Sequence, residues 1–346
     1  MSTLFWDDLP RPFFALAPLE DVTDAAFRRL IAKYGKPDVM FTEFTSADGL
    51  VLADEKGQKK LRKKLLYSES ERPIVAQIFS SIPENIEKAS KLVAELGFDG
   101  VDINMGCPDK AVEKGGCGAA LIKNPSLARE LIRAAKKSGL PVSLKTRIGY
   151  NKDEIETWLP ELLAEEPAAI TIHARTRKEM SEVPARWDRI ARAVEIRNSL
   201  QNPRGDASWM TLLIGNGDVE DIMDARRKAE ETKCDGIMLG REIFGNPLLF
   251  AQQKEDLRFK IPAQLRRNEV QSGKYDLRKR LEVMLEHANL FEELLGAHKP
   301  FAIMKKHFKA YVEGFDGAKA LRVRLMETEN AKQVEEIAAD FLRTVQ

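Results

Sequence analysis

Cysteine is scarce in this chain: three residues in 346, Cys107, Cys117 and Cys234, with no CxxC pair. That disfavours a disulfide-stapled scaffold or a zinc site and suits a reducing cytosol. Long apolar runs are missing too. None approaches the ~18 residues of a membrane-spanning helix. The opening MSTLFWDDLPRPFF lacks the basic start and apolar run of a signal peptide. A cytoplasmic protein without a membrane partner is therefore expected. An excess of one charge sign is also absent: 55 basic against 54 acidic side chains leave a net of +1. By itself that total argues little for a polyanionic partner. Disorder is not expected, because 43% hydrophobic residues suffice for a sizeable core.

The neutral total hides an uneven distribution. Residues 251–346 hold 18 basic and 15 acidic side chains, and the remainder is slightly acidic. Within that tail, Lys254–Arg280 has nine basic and four acidic residues, and Lys299–Arg324 has seven and two. A local basic face is expected there. Residues 1–250 alternate short β-type runs with charged helical segments. The runs are Phe13–Leu19, Val39–Phe44, Ile74–Phe79, Val101–Met105, Val142–Ile148, Ala169–Ala174, Thr211–Gly215 and Gly236–Gly240. Helices are expected over Pro83–Leu96, Ser126–Ser138, Asp153–Glu166 and Val219–Thr232, among others. Eight strand–helix units in about 250 residues predict an α/β protein with a (β/α)8 TIM barrel. A doubly wound open sheet is the alternative, but no GxGxxG follows the first strand. After Phe250 helical segments follow one another over 276–296, 300–313 and 318–343, which predicts a smaller all-helical C-terminal domain. The boundary is drawn between 250 and 251, with 251–275 as the polar joining stretch and Asn198–Trp209 as a surface loop.

In such a barrel the active site lies at the C-terminal ends of the strands. Polar residues recur at those ends: Glu43, Gln77, Asn104 with Cys107, Lys145 with Arg147, His173 with Arg175, Asn216-Gly217-Asp218, and Gly240-Arg241. A purely structural barrel has no need of this. Gly217 and Gly240 follow the seventh and eighth strands, where backbone N–H groups commonly bind phosphate. Lys145, inside the apolar run PVSLKTRIG, should point into the mouth and bind an anion or an electron-rich ring. Cys107 lies between Gly106 and Pro108 on a tight loop. A lone cysteine is usually a small buried hydrophobe, but this loop could present the thiol as a proton donor. His173 is open between a general base, a phosphate ligand and a core histidine. Metal ligation is not expected. Cys117 and Cys234 read as structural, and His287, His298 and His307 as surface or RNA-facing.

Together these segments resemble the flavin-dependent tRNA-dihydrouridine synthases of bacterial type. The resemblance rests on APLEDVTDAAFR (17–28), TEF (42–44), AQIF (76–79), GFDGVDINMGCPDK (97–110), GCGAALI (116–122), PVSLKTRIG (141–149), IHARTR (172–177), IGNGDV (214–219) and GIMLGREIFGNPLLF (236–250). In the tail, KHFKAYVEGFDGAKALR (306–322) is similar to the family's helical RNA-binding domain. The segment KEMSEVPARW (178–187) departs from the family's pattern. The resemblance implies bound FMN, NAD(P)H as reductant, and reduction of the C5–C6 bond of uridines in tRNA. It implies FMN contacts at Ala17, Pro18, Leu19, Gln77, Lys145, His173, Asn216, Gly217, Asp218, Gly240 and Arg241. Hydride would reach C6 from reduced flavin and Cys107 would protonate C5. Asn104 would hold the uracil edge, with Arg147 and Arg175 also on the substrate side. The partner implied is tRNA, with no metal, and the chain is expected to be a monomer. The same reaction on ribosomal RNA, or reduction of small pyrimidines or enones, are the alternatives.

Overall fold

The computed structural model describes residues 4–201, 210–251 and 277–344. Of the expected surface loop, Asn198–Gln201 continue a helix and 202–209 lie outside the described residues. The joining stretch lies outside them too, apart from Ala251, and so does most of the basic segment Lys254–Arg280.

Largely apolar runs form strands buried on both faces, as a parallel sheet requires. These are β1 (Phe13–Leu16), β2 (Met40–Phe41), β3 (Thr45–Ser46), β4 (Ile74–Phe79), β5 (Gly100–Asn104), β6 (Val142–Arg147), β7 (Ala169–His173), β8 (Leu212–Asn216) and β9 (Gly236–Leu239). Their order is β1-β9-β8-β7-β6-β5-β4-β2, all parallel, with β3 a short addition to the far end of β4. A bridge between Ala15 and Val39 closes β1 onto the β2 segment, with Leu16 N–H donating to the Val39 carbonyl at 3.0 Å. The expected eight-stranded barrel is present.

Helices start just beyond the strands' C-terminal ends, so their caps fix the loops at that end. Asn124 caps Pro125–Lys136 by accepting from Leu127 N–H, and Asp221 caps Ile222–Thr232 through Asp224 N–H. Pro83 opens Pro83–Glu95, where its missing N–H costs nothing. Behind Cys107, the Asp109 carboxylate accepts from Ala111 and Val112 N–H and starts the short helix Lys110–Lys114.

By contacts the chain divides into two compact units. The first is the barrel, residues 4–18, 38–65 and 72–240; the second comprises 19–37, 66–71 and 241–344, each within the described residues. In the second unit α1 (Ala25–Tyr34) packs on α2 (Leu277–Leu295), joined by α3 (Met304–Tyr311), α4 (Ala318–Leu325) and α5 (Ala331–Thr344). Arg28 of α1 is fully buried. Its guanidinium donates to Glu71 at 2.7 Å and to the Thr23 and Leu66 carbonyls. The expectation that His287 and His307 face the surface or RNA is overturned: both are fully buried. His287 stacks on Phe27 with ring centroids 4.7 Å apart, and His307 lies edge-on to both rings. His298 is exposed.

Candidate active site

The parallel register gathers the barrel's polar side chains in tiers. Lys145 pairs with Asn104 on one side and Thr171 on the other. One step further along, Arg147 pairs with His173, and His173 with Asn216. Residues two apart on a strand share a face, so Lys145 and Arg147 point the same way.

Below them lies a tier of buried polar groups. Asp102 is wholly buried and accepts from Gln77 Nε2 and Ser143 Oγ, both at 2.7 Å. Burial raises its carboxyl to about 6, against the lowering effect of those two hydrogen bonds. The other end of the Gln77 amide accepts from Asn104 Nδ2 at 3.0 Å. Asp102 and Ser143 were not among the sequence candidates. Their signal was a polar residue at alternate positions of VDIN and VSLK, in strands otherwise apolar.

The loop after β5 is held at both sides of Cys107. Its N–H donates to Asn104 Oδ1 at 2.9 Å, and its carbonyl accepts from Ala119 N–H at 2.9 Å. Gly106 N–H shares the Asn104 oxygen, and its carbonyl accepts from Arg147 Nε at 2.9 Å. A Cβ at Gly118 would stand 2.7 Å from the Cys107 carbonyl, and φ there is +59°, so the close approach needs glycine. The Cys107 thiol is half-buried, and burial pushes its pKa up, so it is protonated at neutral pH. Cys117 and Cys234 are buried.

Two cations sit near this thiol. Lys145 Nζ donates to Asn216 Oδ1 at 3.1 Å; burial lowers it to about 8. Arg147 also holds the Thr176 and Met180 carbonyls, and burial brings it to about 10, still charged at neutral pH. Arg175 is engaged with the Val183 carbonyl, His173 and the Asp218 carboxylate. The atypical segment 178–187 thus packs onto the arginines of the mouth. Trp187 Nε1 closes it by donating to the Gly217 carbonyl at 2.9 Å.

Of the expected site residues, the barrel carries Ala17, Pro18, Gln77, Asn104, Cys107, Lys145, Arg147, His173, Arg175, Asn216, Gly217, Asp218 and Gly240 at or near its strands' C-terminal ends. Leu19 and the exposed Arg241 belong to the other compact unit. Gln77, Asn104 and Arg147 spend hydrogen bonds on the protein itself. Gly217 has φ +120°, and a Cβ there would crowd the His173 ring at 2.9 Å. At Gly240 a Cβ would meet only Ala17 Cβ, at 3.6 Å, so the space on that side is open.

Fold and site together define an enzyme of the parallel βα-barrel class, with its polar groups at the strands' C-terminal mouth. The sequence profile described as dihydrouridine synthase matches residues 15–346, and the chain belongs to that family. It is 40% identical over 345 residues to a protein of Bacillus subtilis (strain 168) named probable tRNA-dihydrouridine synthase 2, covering 99% of this chain and 98% of that one. It is 38% identical over 343 residues to a probable tRNA-dihydrouridine synthase of Staphylococcus aureus (strain MRSA252), covering 99% and 96%. Among solved structures, a morphinone reductase variant in complex with tetrahydroNAD shares the fold. Its TM-score is 0.50 at 14% identity, over 76% of this chain and 92% of that chain. Among the described residues, no helix is long and apolar enough to cross a membrane.

Proposed function

We propose that this chain reduces the C5–C6 bond of specific uridines in tRNA to 5,6-dihydrouridine, using FMN and NAD(P)H. The observation that carries the reading is Cys107. Its thiol is half-buried and protonated, on a loop tied down on both sides, at the mouth that also holds Lys145 and Arg147. The names of the relatives point to the same reaction.

The residues present fit a phosphorylated flavin. The open space beside Gly240 lets an anion approach closely, and Lys145 supplies positive charge. Ala17, Pro18, Lys145, His173, Asn216, Gly217, Asp218 and Gly240 would hold the cofactor. When bound and reduced, FMN supplies hydride for C6 of the uracil. Cys107 supplies the proton. Hydride addition leaves negative charge over C5 and the C4 carbonyl, and transfer of the Sγ proton to C5 discharges it. The thiolate left behind is stabilised by the charges of Lys145 and Arg147 until it is reprotonated. Gln77, Asn104 and Arg147 orient the loop.

In this reading residues 1–250 carry the chemistry and 251–346 hold the tRNA. Exposed Lys306, Lys309 and Lys319 supply phosphate contacts in that tail. The protein works in the cytoplasm as a metal-independent monomer. Nucleoside mass spectrometry of RNA from a deletion strain tests the function. Dihydrouridine should vanish from particular tRNA positions and return on complementation. Unchanged tRNA, with loss from ribosomal RNA instead, would replace this substrate with the other.

A further inference from the structure

We infer that Asp102 is a positioning residue that orients the Cys107 loop through a relay of two side-chain amides. The inference rests on the reading of Cys107 as proton donor. The Asp102 carboxylate is wholly buried in the barrel and makes no hydrogen bond to the Cys107 loop itself; its donors are Gln77 and Ser143. A buried carboxylate is costly unless it is hydrogen-bonded, and here two donors meet it.

The use is directional. A carboxylate only accepts, so Asp102 Oδ2 admits the NH2 end of Gln77, at 2.7 Å. The Gln77 oxygen is thereby turned toward Asn104, whose NH2 it accepts at 3.0 Å. That leaves the Asn104 oxygen facing the Gly106 and Cys107 N–H groups, at 3.2 and 2.9 Å. Each amide has one orientation compatible with its neighbours. Reversing either would set donor against donor at the next link. Ser143 also donates to Asp102, through Oδ1, and takes no part in this chain of orientations.

Substitutions test the polarity directly. Asp102→Leu removes the acceptor, and nothing then fixes which end of the Gln77 amide faces Asn104. Asp102→Asn keeps the order, because a hydroxyl also accepts: the new amide turns its NH2 to Ser143 Oγ and its oxygen to Gln77 Nε2. Ser143→Ala removes a bond to Asp102 and leaves the relay intact.

The readout is hydrogen exchange of the Gly106 and Cys107 amides, measured by mass spectrometry on the full chain saturated with FMN. Asp102→Leu should exchange about tenfold faster there, as expected for the loss of one net hydrogen bond. Asp102→Asn and Ser143→Ala should match the wild type. Wild-type exchange in Asp102→Leu overturns the relay. So does fast exchange in Asp102→Asn, or acceleration in Ser143→Ala equal to that in Asp102→Leu. If Asp102→Leu does not fold, Gln77→Leu, which cuts the relay one link further along, decides. Fast exchange in it supports the relay; wild-type exchange overturns it. Exchange reads the loop whatever the thiol does, so this test can fail while Cys107 remains the acid, and the reverse.

Discussion

Lys145 on β6 and Asn216 on β8 meet across the intervening β7, Nζ to Oδ1 at 3.1 Å. The Asn216 amide is oriented for this contact because its NH2 donates to the Met238 carbonyl on β9 at 2.8 Å. Three strands are thus tied to the position of one cation. Burial lowers that cation to about 8; Arg147 acts in the same direction, while Asp102 and Cys107 oppose it.

Anion binding at the mouth should therefore weaken in mildly alkaline solution. Above about pH 8 the free Lys145 amine is neutral and no longer attracts a phosphate. FMN affinity, measured by fluorescence titration, should fall between about pH 7 and about pH 9.5. Lys145→Met should bind about ten- to a hundredfold more weakly, without that step. A wild-type affinity that stays flat would remove Lys145 from anion binding.

Cys107→Ala should keep its flavin and lose most of its turnover, by about 10²–10⁴, the range of a positioned general acid. Because burial raises the thiol pKa, the wild type should hold its rate through neutral pH and decline only in alkaline solution. Single-turnover oxidation of the reduced enzyme by tRNA measures this. Undiminished turnover in the variant would assign the proton to another group.

Gly217→Ala should disturb flavin binding and stability together. At φ +120° an alanine is strained, and its Cβ would press on the His173 ring at 2.9 Å and Ala185 Cβ at 3.0 Å. The expected cost is about 1–3 kcal/mol in urea unfolding, with reduced flavin content after reconstitution. A variant as stable as wild type would mean that the loop relaxes freely.

Much of this architecture is legible in the sequence. A buried parallel strand is an apolar run between turn signals, and Ile74–Phe79 matches its expected bounds. The polar strand ends were legible for the same reason, since a Lys or His in such a run stands out. Two kinds of feature were not. Partner choice depends on the loop's return path, so no spacing could show that Asn104 accepts from the Cys107 N–H and donates to Gln77. Helix packing was hidden too. The βα rhythm cannot show that Ala25–Tyr34, which follows β1, packs with the C-terminal helices. For His287 the signal existed: Val283, Met284 and Phe291, three or four residues away, are buried on the same face.

Arg28 and Glu71 are both fully buried and bonded at 2.7 Å, and Arg28 also holds two carbonyls that precede and follow its helix in sequence. Removing one partner leaves a charge without compensation in the core. Arg28→Ala should cost about 3–5 kcal/mol in chemical denaturation, and Arg28→Met/Glu71→Leu should recover much of it. Equal losses in both variants would show that the pair's packing, rather than its charge, is what the unit needs.

The buried histidine pair makes acid stability the last expectation. His307 is lowered to about 3 and His287 well below its ordinary 6.5, mainly by burial. The neighbouring ring presses on His287, and Lys306 and Lys299 on His307. Tyr311 faces His287 at 3.4 Å, and Phe27 and Phe244 complete the surroundings. Between about pH 6.5 and about pH 3 the unfolded chain binds protons that the folded chain refuses, so stability falls as pH falls. The slope approaches about 1.4 kcal/mol per pH unit for each histidine. His307→Phe removes one such group and keeps an aromatic ring against Phe27. Urea midpoints at about pH 7 and about pH 5 should draw closer together in the variant than in the wild type. An unchanged gap would mean that the rings are solvated in solution and titrate normally.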